Sequence, residues 1–314
     1  MMKLRDELNG YLRLPRTFFG IPEAKDALSD VGVLGIPYDI TSSYQSGTRF
    51  GPDAIRAATD SERSHSHPLT IDSDEFRDET PLTKRITLED IGDLEVVSRM
   101  PEAAMYDISE AVTKLVALGS HLLFLGGDHF VTYPILRGLK KGTNATIGIV
   151  FLDSHADFYE DVGGYQLSHG TTLRRLVTDK IVDIKNIIAH DLRTALPEQR
   201  KELALGGPVQ NHTVESFSKV VNEIASRVDW LYMSVDLDVL KPEIAPGVSH
   251  PESGGLDMSE LVTLIRIAFE TGKVKFADIV ELNPIRDSSE LASIAARDIV
   301  KAILTGWARQ KEYK

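Results

Sequence analysis

The chain has 314 residues, 42% of them hydrophobic, with nine histidines and no cysteine. That length supports a large core in one or two domains, and the lack of cysteine excludes disulfides and thiolate metal sites, so any bound metal takes oxygen and imidazole ligands. The net charge of −12 argues against nucleic-acid binding, which needs a basic face, and favours a small cationic partner through field steering.

The first twenty residues, MMKLRDELNGYLRLPRTFFG, mix charges throughout and contain no apolar core of signal-peptide length. No window reaches the length of a membrane span, and the stretch around Leu261 to Phe269 carries Arg266. A cytoplasmic protein with no membrane partner is expected. The first strong strand signal is Val31 to Ile36, ending at Pro37. The loop TSSYQSGTRFGP (Thr41 to Pro52) follows, with Gly47 and Gly51 suited to special backbone angles. A helix then begins at Asp53 and runs to Ala58, with Pro52 near its start. Ser61 to Leu82 is polar and aperiodic, a long surface excursion that could lie over a site; its His65 and His67 read as solvated.

Farther along, Ile86 to Ile91 reads as a strand, Glu102 to Leu118 as an amphipathic helix, and a strand starts at Leu122. The pattern continues with a helix at Tyr133–Lys141, a strand at Ile147–Leu152 and a helix at Thr171–Val177. Next come a strand at Ile184–Ala189, helices at Pro197–Leu205 and Val214–Val228, and a strand at Leu231–Val235. After a Pro/Gly-rich loop from Lys241 to Leu256 come a helix (Ser259–Glu270), a strand (Val274–Leu282) and a closing helix (Ser289–Arg309). Unbroken alternation predicts a single domain over 1–314. It would be a three-layer α/β/α arrangement around a mainly parallel sheet of about eight strands.

Three of these strands run into metal-capable side chains. In HLLFLGGDH the apolar run breaks at Gly126-Gly127, which permit close backbone approach, and then presents Asp128 and His129. IGIVFLDSHADFY ends in Asp153, His155 and Asp157 at i, i+2 and i+4, on one side of an extended chain. WLYMSVDLD ends in Asp236 and Asp238. Open α/β sheets bind ligands just past the carboxyl ends of their strands, and buried carboxylates are costly unless something neutralises them. His129, Asp153, His155, Asp157, Asp236 and Asp238 are therefore candidate ligands of a cation. Four carboxylates and two imidazoles exceed the three protein ligands of a typical catalytic zinc and suit two metals sharing carboxylates. The donor set favours Mn²⁺, with Mg²⁺, Fe²⁺ or Co²⁺ as alternatives. Two ions about 3.5–4 Å apart can hold a bridging water and lower its pKa from ~15.7 towards ~7, which points to metal-assisted hydrolysis.

With those residues in place, the sequence resembles the ureohydrolases, the family of arginase, agmatinase and their relatives. The likeness runs from GIPYDITSSYQSGTRFGPDAIR at Gly35 through GGDH at Gly126 and DSHAD at Asp153. It continues through SVDLDVLKPEIAPGVSHPESGGL at Ser234 to VELNP at Val280, and the early loop is more like agmatinase than arginase. The resemblance implies an arginase-like fold and two Mn²⁺ per chain, with Zn²⁺ joining the alternatives. It implies that His129 and Asp157 bind one ion, His155 and Asp238 the other, and that Asp153 and Asp236 bridge both. A hydroxide shared by the ions would attack the guanidinium carbon, and the tetrahedral intermediate would collapse to urea and an amine, with Asp157 or Asp238 passing on the hydroxide's proton. By the same resemblance His169 is the proton shuttle, in a pKa range suited to protonating a departing amine, and Glu281 meets the guanidinium as a bidentate carboxylate. Trimers or hexamers are the implied assemblies.

The match loosens at Ser154, which replaces the Ala of the DAHxD motif, and at Lys241, where many agmatinases carry Asp. It also loosens at Val248-Ser249-His250, which replaces a small-residue run, and at IIAHDLR in place of the familiar Gly-Ile-Arg. His121, His190, His212 and His250 have no assigned role, and His190 reads as structural. The acidic Tyr159-Glu160-Asp161 segment offers acceptors for an amine tail, Glu160 among them, and so ranks agmatine, giving putrescine and urea, ahead of guanidinobutyrate, arginine and formiminoglutamate. A single-zinc deacetylase and a catalytically silent homologue are the rival readings from other classes.

Overall fold

The computed structural model describes residues 7–8, 12–13, 18–60, 63–69, 80–206 and 213–312. Its strands are β1 (Leu12–Arg13), β2 (Val31–Gly35), β3 (Leu88–Leu94), β4 (His121–Leu125), β5 (Ile147–Leu152), β6 (Ile187–His190), β7 (Trp230–Asp236) and β8 (Val274–Val280). They form one sheet in the order β1-β3-β2-β4-β8-β7-β5-β6, parallel throughout except that β1 pairs antiparallel with β3. The helices are α1 (Gly51–Ala58), α2 (Pro101–Val116), α3 (Thr132–Gly142), α4 (Thr172–Thr178), α5 (Pro197–Gly206), α6 (Val214–Arg227), α7 (Met258–Glu270) and α8 (Leu291–Glu312).

The sheet is buried on both faces, as unbroken apolar runs require. On β5, Ile147, Ile149 and Phe151 pack with Ile108 of α2, Leu136 of α3 and Leu173 of α4. The alternate residues Val150 and Leu152 pack on the opposite face with Ile55 of α1, Phe217 of α6, Leu261 of α7 and Trp307 of α8. This period-2 division produces the three layers. Local signals fix the helix starts: Asp257 and Glu260 form a reciprocal capping box on α7, and proline occupies the first turn of α1 and α2.

The crossing of the chain from β4 to β5 positions the site. These strands are consecutive in sequence, yet β8 and β7 later fill the space between them. The parallel register sets Leu125, Ile279, Val235 and Leu152 level with one another. The chain leaving each strand therefore emerges at one height, side by side with the other three. Such a place is where ligands bind in sheets of this kind.

Three strand readings shift. Strand β3 starts two residues later than the apolar pattern suggests and runs on through Asp93, because Arg56 of α1 buries itself against Asp90 and Asp93. Residues 184–186 form a 3₁₀ turn instead of strand, with the Asp183 side chain accepting from the Lys185 N–H. The two-residue β1 carries too little periodicity to be read from sequence. Of the excursion over 61–82, residues 61–62 and 70–79 lie outside the described part. The portion that is described meets α8 and the turn before it, through Lys301 to Ser64 Oγ (3.2 Å) and Arg63 to Glu290. His65 and His67 are exposed there, as expected.

Gly127 lies where the backbone must be bare. A Cβ at this position would overlap the main chain of Tyr38, while the Gly127 carbonyl accepts from the Glu281 N–H at 2.9 Å and the Asp128 N–H donates to the Tyr38 carbonyl at 2.7 Å. Gly127→Ala is expected to destabilise the protein by about 1–3 kcal/mol, the cost of forced overpacking. Chemical denaturation measures this, and an unchanged midpoint would contradict it.

Candidate active site

Past the ends of β4, β5 and β7, five of the six candidate ligands are buried and His155 is partly so. The Nδ1 atom of His129 lies 3.0 Å from Asp153 Oδ2, 3.2 Å from Asp157 Oδ2 and 3.1 Å from Asp236 Oδ2. The Nδ1 atom of His155 lies 2.9 Å from Asp238 Oδ2 and 3.6 Å from Asp153 Oδ1. Two groups of ligand atoms compact enough to hold an ion result: His129, Asp153 and Asp236, and Asp153, His155 and Asp238. Asp153 belongs to both. Asp236 belongs to the first, its other oxygen accepting from the Asp238 N–H at 2.9 Å.

These residues fit cations better than they fit one another. His129 Nδ1 and Asp153 Oδ2 are buried and make no aligned hydrogen bond, although each sits at contact distance from the other. The reason lies behind the ring. Asp278, buried on β8, accepts hydrogen bonds from Thr132 Oγ1 (2.6 Å), Tyr232 OH (2.6 Å) and Ser234 Oγ (2.7 Å). Ser234 thus gives its proton to Asp278 and can only accept from His129 Nε2, 3.0 Å away. The imidazole carries its hydrogen on Nε2 and turns a lone pair on Nδ1 towards the carboxylates, the orientation a metal ligand needs.

The electrostatics agree. Burial, reinforced by the charge of Asp153, pushes Asp157 up to about 8, and burial with the charge of Asp238 pushes Asp236 well above the usual carboxylate range. Asp153 is also buried, but the adjacent imidazoles of His129 and His155 hold it below that range. Burial opposes protonation of the two histidines, yet the surrounding carboxylates raise both of them. Carboxylates this far from water ionise together only against concentrated positive charge. A pair of divalent ions would supply that charge.

Two site residues adopt left-handed backbone, Asp157 at φ 47° and Glu281 at φ 64°, a conformation that costs a non-glycine residue roughly 1–3 kcal/mol and persists only where neighbours over-determine it. Leu173 N–H bonds to the Asp157 carbonyl at 3.0 Å, and Glu281 is pinned between Gly127 and His129. One Glu281 oxygen accepts from the His129 N–H at 2.8 Å, while Oε2 is buried with no hydrogen-bond partner. Burial and the charge of Asp128 push this carboxyl well above its usual range.

Both carboxylate and imidazole clusters open on a cavity of about 430 Å³, also lined by Ser43, Tyr159, Asp161, His169, His250 and Glu281. His169 Nδ1 donates to the Thr41 carbonyl at 2.6 Å, and Thr41 is itself tied to Asp128, donating to its carboxylate from Oγ1 (2.7 Å) and from the amide (3.1 Å). Burial, with the neighbouring His250, lowers the His169 pKa to about 4, below the near-neutral range its shuttle role suggests. Glu160 does not join the others. Its side chain turns to Arg174 (3.5 Å) and Arg175 (3.2 Å) of α4, outside the cavity lining, and Asp161 is the acid at the mouth. The assignment of Glu160 to substrate is corrected accordingly. Adjacent acids on an irregular segment point different ways, and the arginines of α4 claimed the nearer one.

Sequence reasoning passed over Ser234, Asp278, Ser43 and the work of Ser154. Ser154 Oγ donates to Asp238 Oδ1 at 2.7 Å, so the departure from alanine adds a hydrogen bond to a candidate ligand. A lone Asp or Ser inside a fully buried strand was the available signal, since such groups demand partners. His190 packs edge-on against Phe217 and His121 stacks on Trp307, both structural placements, and His212 lies outside the described residues.

Divalent metal is expected to stabilise the fold, because it binds a site that the unfolded chain lacks. Saturation to about a hundred times Kd adds roughly 2.7 kcal/mol for one site. Thermal melting after chelation and after re-addition of Mn²⁺ measures the effect; identical curves would contradict it.

The family model described as Arginase family matches residues 29–306. An agmatinase from Cronobacter sakazakii is 31% identical over 303 residues, covering 96% of this chain and 94% of that protein. An agmatinase from Bacillus anthracis is 30% identical over 285 residues, covering 90% and 93%. Among solved structures, the proclavaminate amidino hydrolase from Streptomyces clavuligerus aligns with a TM-score of 0.82 at 26% identity, covering 95% of this chain and 99% of that one. Buried ligands at the ends of three strands, and likeness along nearly the whole chain, lead to one conclusion: this chain belongs to the arginase family and is a hydrolase acting on C–N bonds of amidines, with a fold that implies a binuclear metal site.

Proposed function

We propose that the chain hydrolyses agmatine to putrescine and urea. The observation that carries this reading is Glu281 Oε2, a buried carboxylate oxygen without a partner on the wall of the cavity that the two ligand groups also line. A guanidinium is the complementary cation, since its planar donors match a carboxylate. Among the described residues no lysine or arginine lines the cavity, and Asp161 does. This favours a substrate whose far end is an ammonium over one that ends in a carboxylate, and the agmatinase relatives support the same choice.

His129, Asp153, Asp157 and Asp236 would hold one ion, and Asp153, His155, Asp236 and Asp238 the other, with Mn²⁺ preferred for their oxygen and imidazole donors. When bound, the ions supply Lewis acidity that makes water a competent nucleophile near neutral pH. The residues do the rest. Glu281 draws the guanidinium carbon over the two ligand groups and fixes its plane. The Asp157 carboxylate takes the proton lost by the attacking water and passes it to His169 Nε2. This atom is the accepting nitrogen of the ring, because Nδ1 keeps its hydrogen for Thr41, and the Ser43 hydroxyl 3.2 Å away rotates to accept from it as the proton arrives. As the tetrahedral carbon collapses, the C–N bond to the alkyl nitrogen breaks and His169 Nε2 returns the proton to that nitrogen, releasing the amine and urea. The low pKa of His169 makes its protonated form a strong acid, present only transiently. A cytoplasmic place in polyamine synthesis and a homo-oligomeric assembly complete the proposal.

Urea release from the Mn²⁺-loaded protein, compared across agmatine, arginine, guanidinobutyrate and formiminoglutamate, tests the substrate. Agmatine is expected to have the highest kcat/KM, and urea from none of the guanidino compounds would overturn the reading. Asp153→Ala is expected to lose both metal equivalents, and with them turnover, in metal analysis of the purified variant. Glu281→Gln is expected to retain the metals and raise KM for agmatine. His169→Ala is expected to retain the metals and lose roughly 10²–10⁴-fold in kcat, the usual share of a positioned acid–base group.

A further inference from the structure

His250 stands in the cavity with no role assigned by sequence or by the mechanism above. Its ring stacks on His169, with centroids 5.1 Å apart and planes 19° from parallel, and meets His155 edge-on at 6.0 Å. Ser43, on the loop after β2, lies between the two imidazoles. Its Oγ is 3.2 Å from His169 Nε2 and 3.3 Å from His250 Nε2.

The hydrogens along this row of side chains follow from one fixed point. The Thr41 carbonyl only accepts, and at 2.6 Å it requires a hydrogen on His169 Nδ1. In the neutral ring Nε2 is then bare and must accept from Ser43. Ser43 has one proton and has committed it, so its oxygen is left to accept from His250 Nε2–H. The direction is the same throughout: His250 Nε2–H to Ser43, Ser43 O–H to His169 Nε2, His169 Nδ1–H to Thr41.

We propose that Ser43 and His250 are positioning residues for His169, which hold its ring against the cavity wall and lock the tautomer with a bare Nε2. The inference rests on the reading that His169 Nε2 carries the proton to the departing amine. A ring in the opposite tautomer would turn a hydrogen where a proton must be received and would leave the Thr41 carbonyl without its donor. Stacking by His250 limits rotation of the ring, and its Nε2–H keeps the Ser43 proton aimed at His169. Ser43 is exposed and His250 partly so, which leaves room for substitution without disturbing the core.

Histidine ring ¹⁵N spectra of the Mg²⁺-loaded protein read the tautomer directly, with the His169 signals identified by their loss in His169→Asn. The expected result is a protonated Nδ1 and a hydrogen-bonded, unprotonated Nε2 in the wild type. Ser43→Ala and His250→Phe, which keeps a stacking ring but no donor, are expected to show mixed tautomers. Each should retain two metal equivalents and the wild-type melting temperature. With the best amidine substrate their kcat should fall by about tenfold or more, part of the roughly 10²–10⁴-fold contribution of a placed acid–base group, with KM little changed. Ser43→Thr, which keeps the hydroxyl, should restore both readouts. A wild-type His169 protonated on Nε2, or unaltered His169 spectra in Ser43→Ala and His250→Phe, would overturn the proposal. If the wild type hydrolyses no amidine, the substrate reading fails while the spectra still decide the tautomer.

Discussion

The structure depends on one electrostatic constraint: four carboxylates and two imidazoles brought to the same height by the register of a parallel sheet. In an interior that solvates charge poorly, such a group is strongly unfavourable alone and becomes favourable only around positive charge. Much of the local architecture serves that cluster. The order β4-β8-β7-β5 sets four strand ends in a row, left-handed backbone at Asp157 and Glu281 turns their side chains into the site, and the Asp278–Ser234 pair behind His129 fixes which nitrogen faces forward.

The polar network beneath the site extends the same logic. Asp278 satisfies three hydroxyls at once, from α3 and from β7, so one buried carboxylate couples the orientation of a candidate ligand to the packing of a helix against the sheet. On the cavity side, Asp128 holds Thr41, and Thr41 holds His169. Two chains of hydrogen bonds therefore reach the site, one ending behind His129 and the other at the His169 ring. Buried networks of this sort are strong when complete and costly when broken.

Much of this was legible in the sequence. The apolar runs at Ile147–Leu152 and Leu231–Val235 read as buried strands, and the carboxylates and imidazoles at their ends pointed to a bound cation. The six candidate ligands and Glu281 come together around one cavity, as their spacing and the family resemblance imply. What escaped the reading has physical causes. Side-chain direction on an irregular loop is not encoded in a two-residue period, so Glu160 and Asp161 could not be told apart. The partners of Asp278 come from β7 and the start of α3, separated from it by up to 146 residues, and contacts at that range leave no local pattern. Positive φ at Asp157 and Glu281 is imposed by tertiary hydrogen bonds against local preference. His250 sits in a Pro/Gly loop, and only the fold reveals that this loop folds back over Ser43 and His169.

Anomalous diffraction from crystals of the Mn²⁺-loaded protein tests the central claim most directly. The account predicts two peaks of anomalous density beside the ends of β5 and β7, one against His129 Nδ1 and the other against His155 Nδ1, with Asp153 reaching both. A single peak, or density away from these side chains, would contradict it.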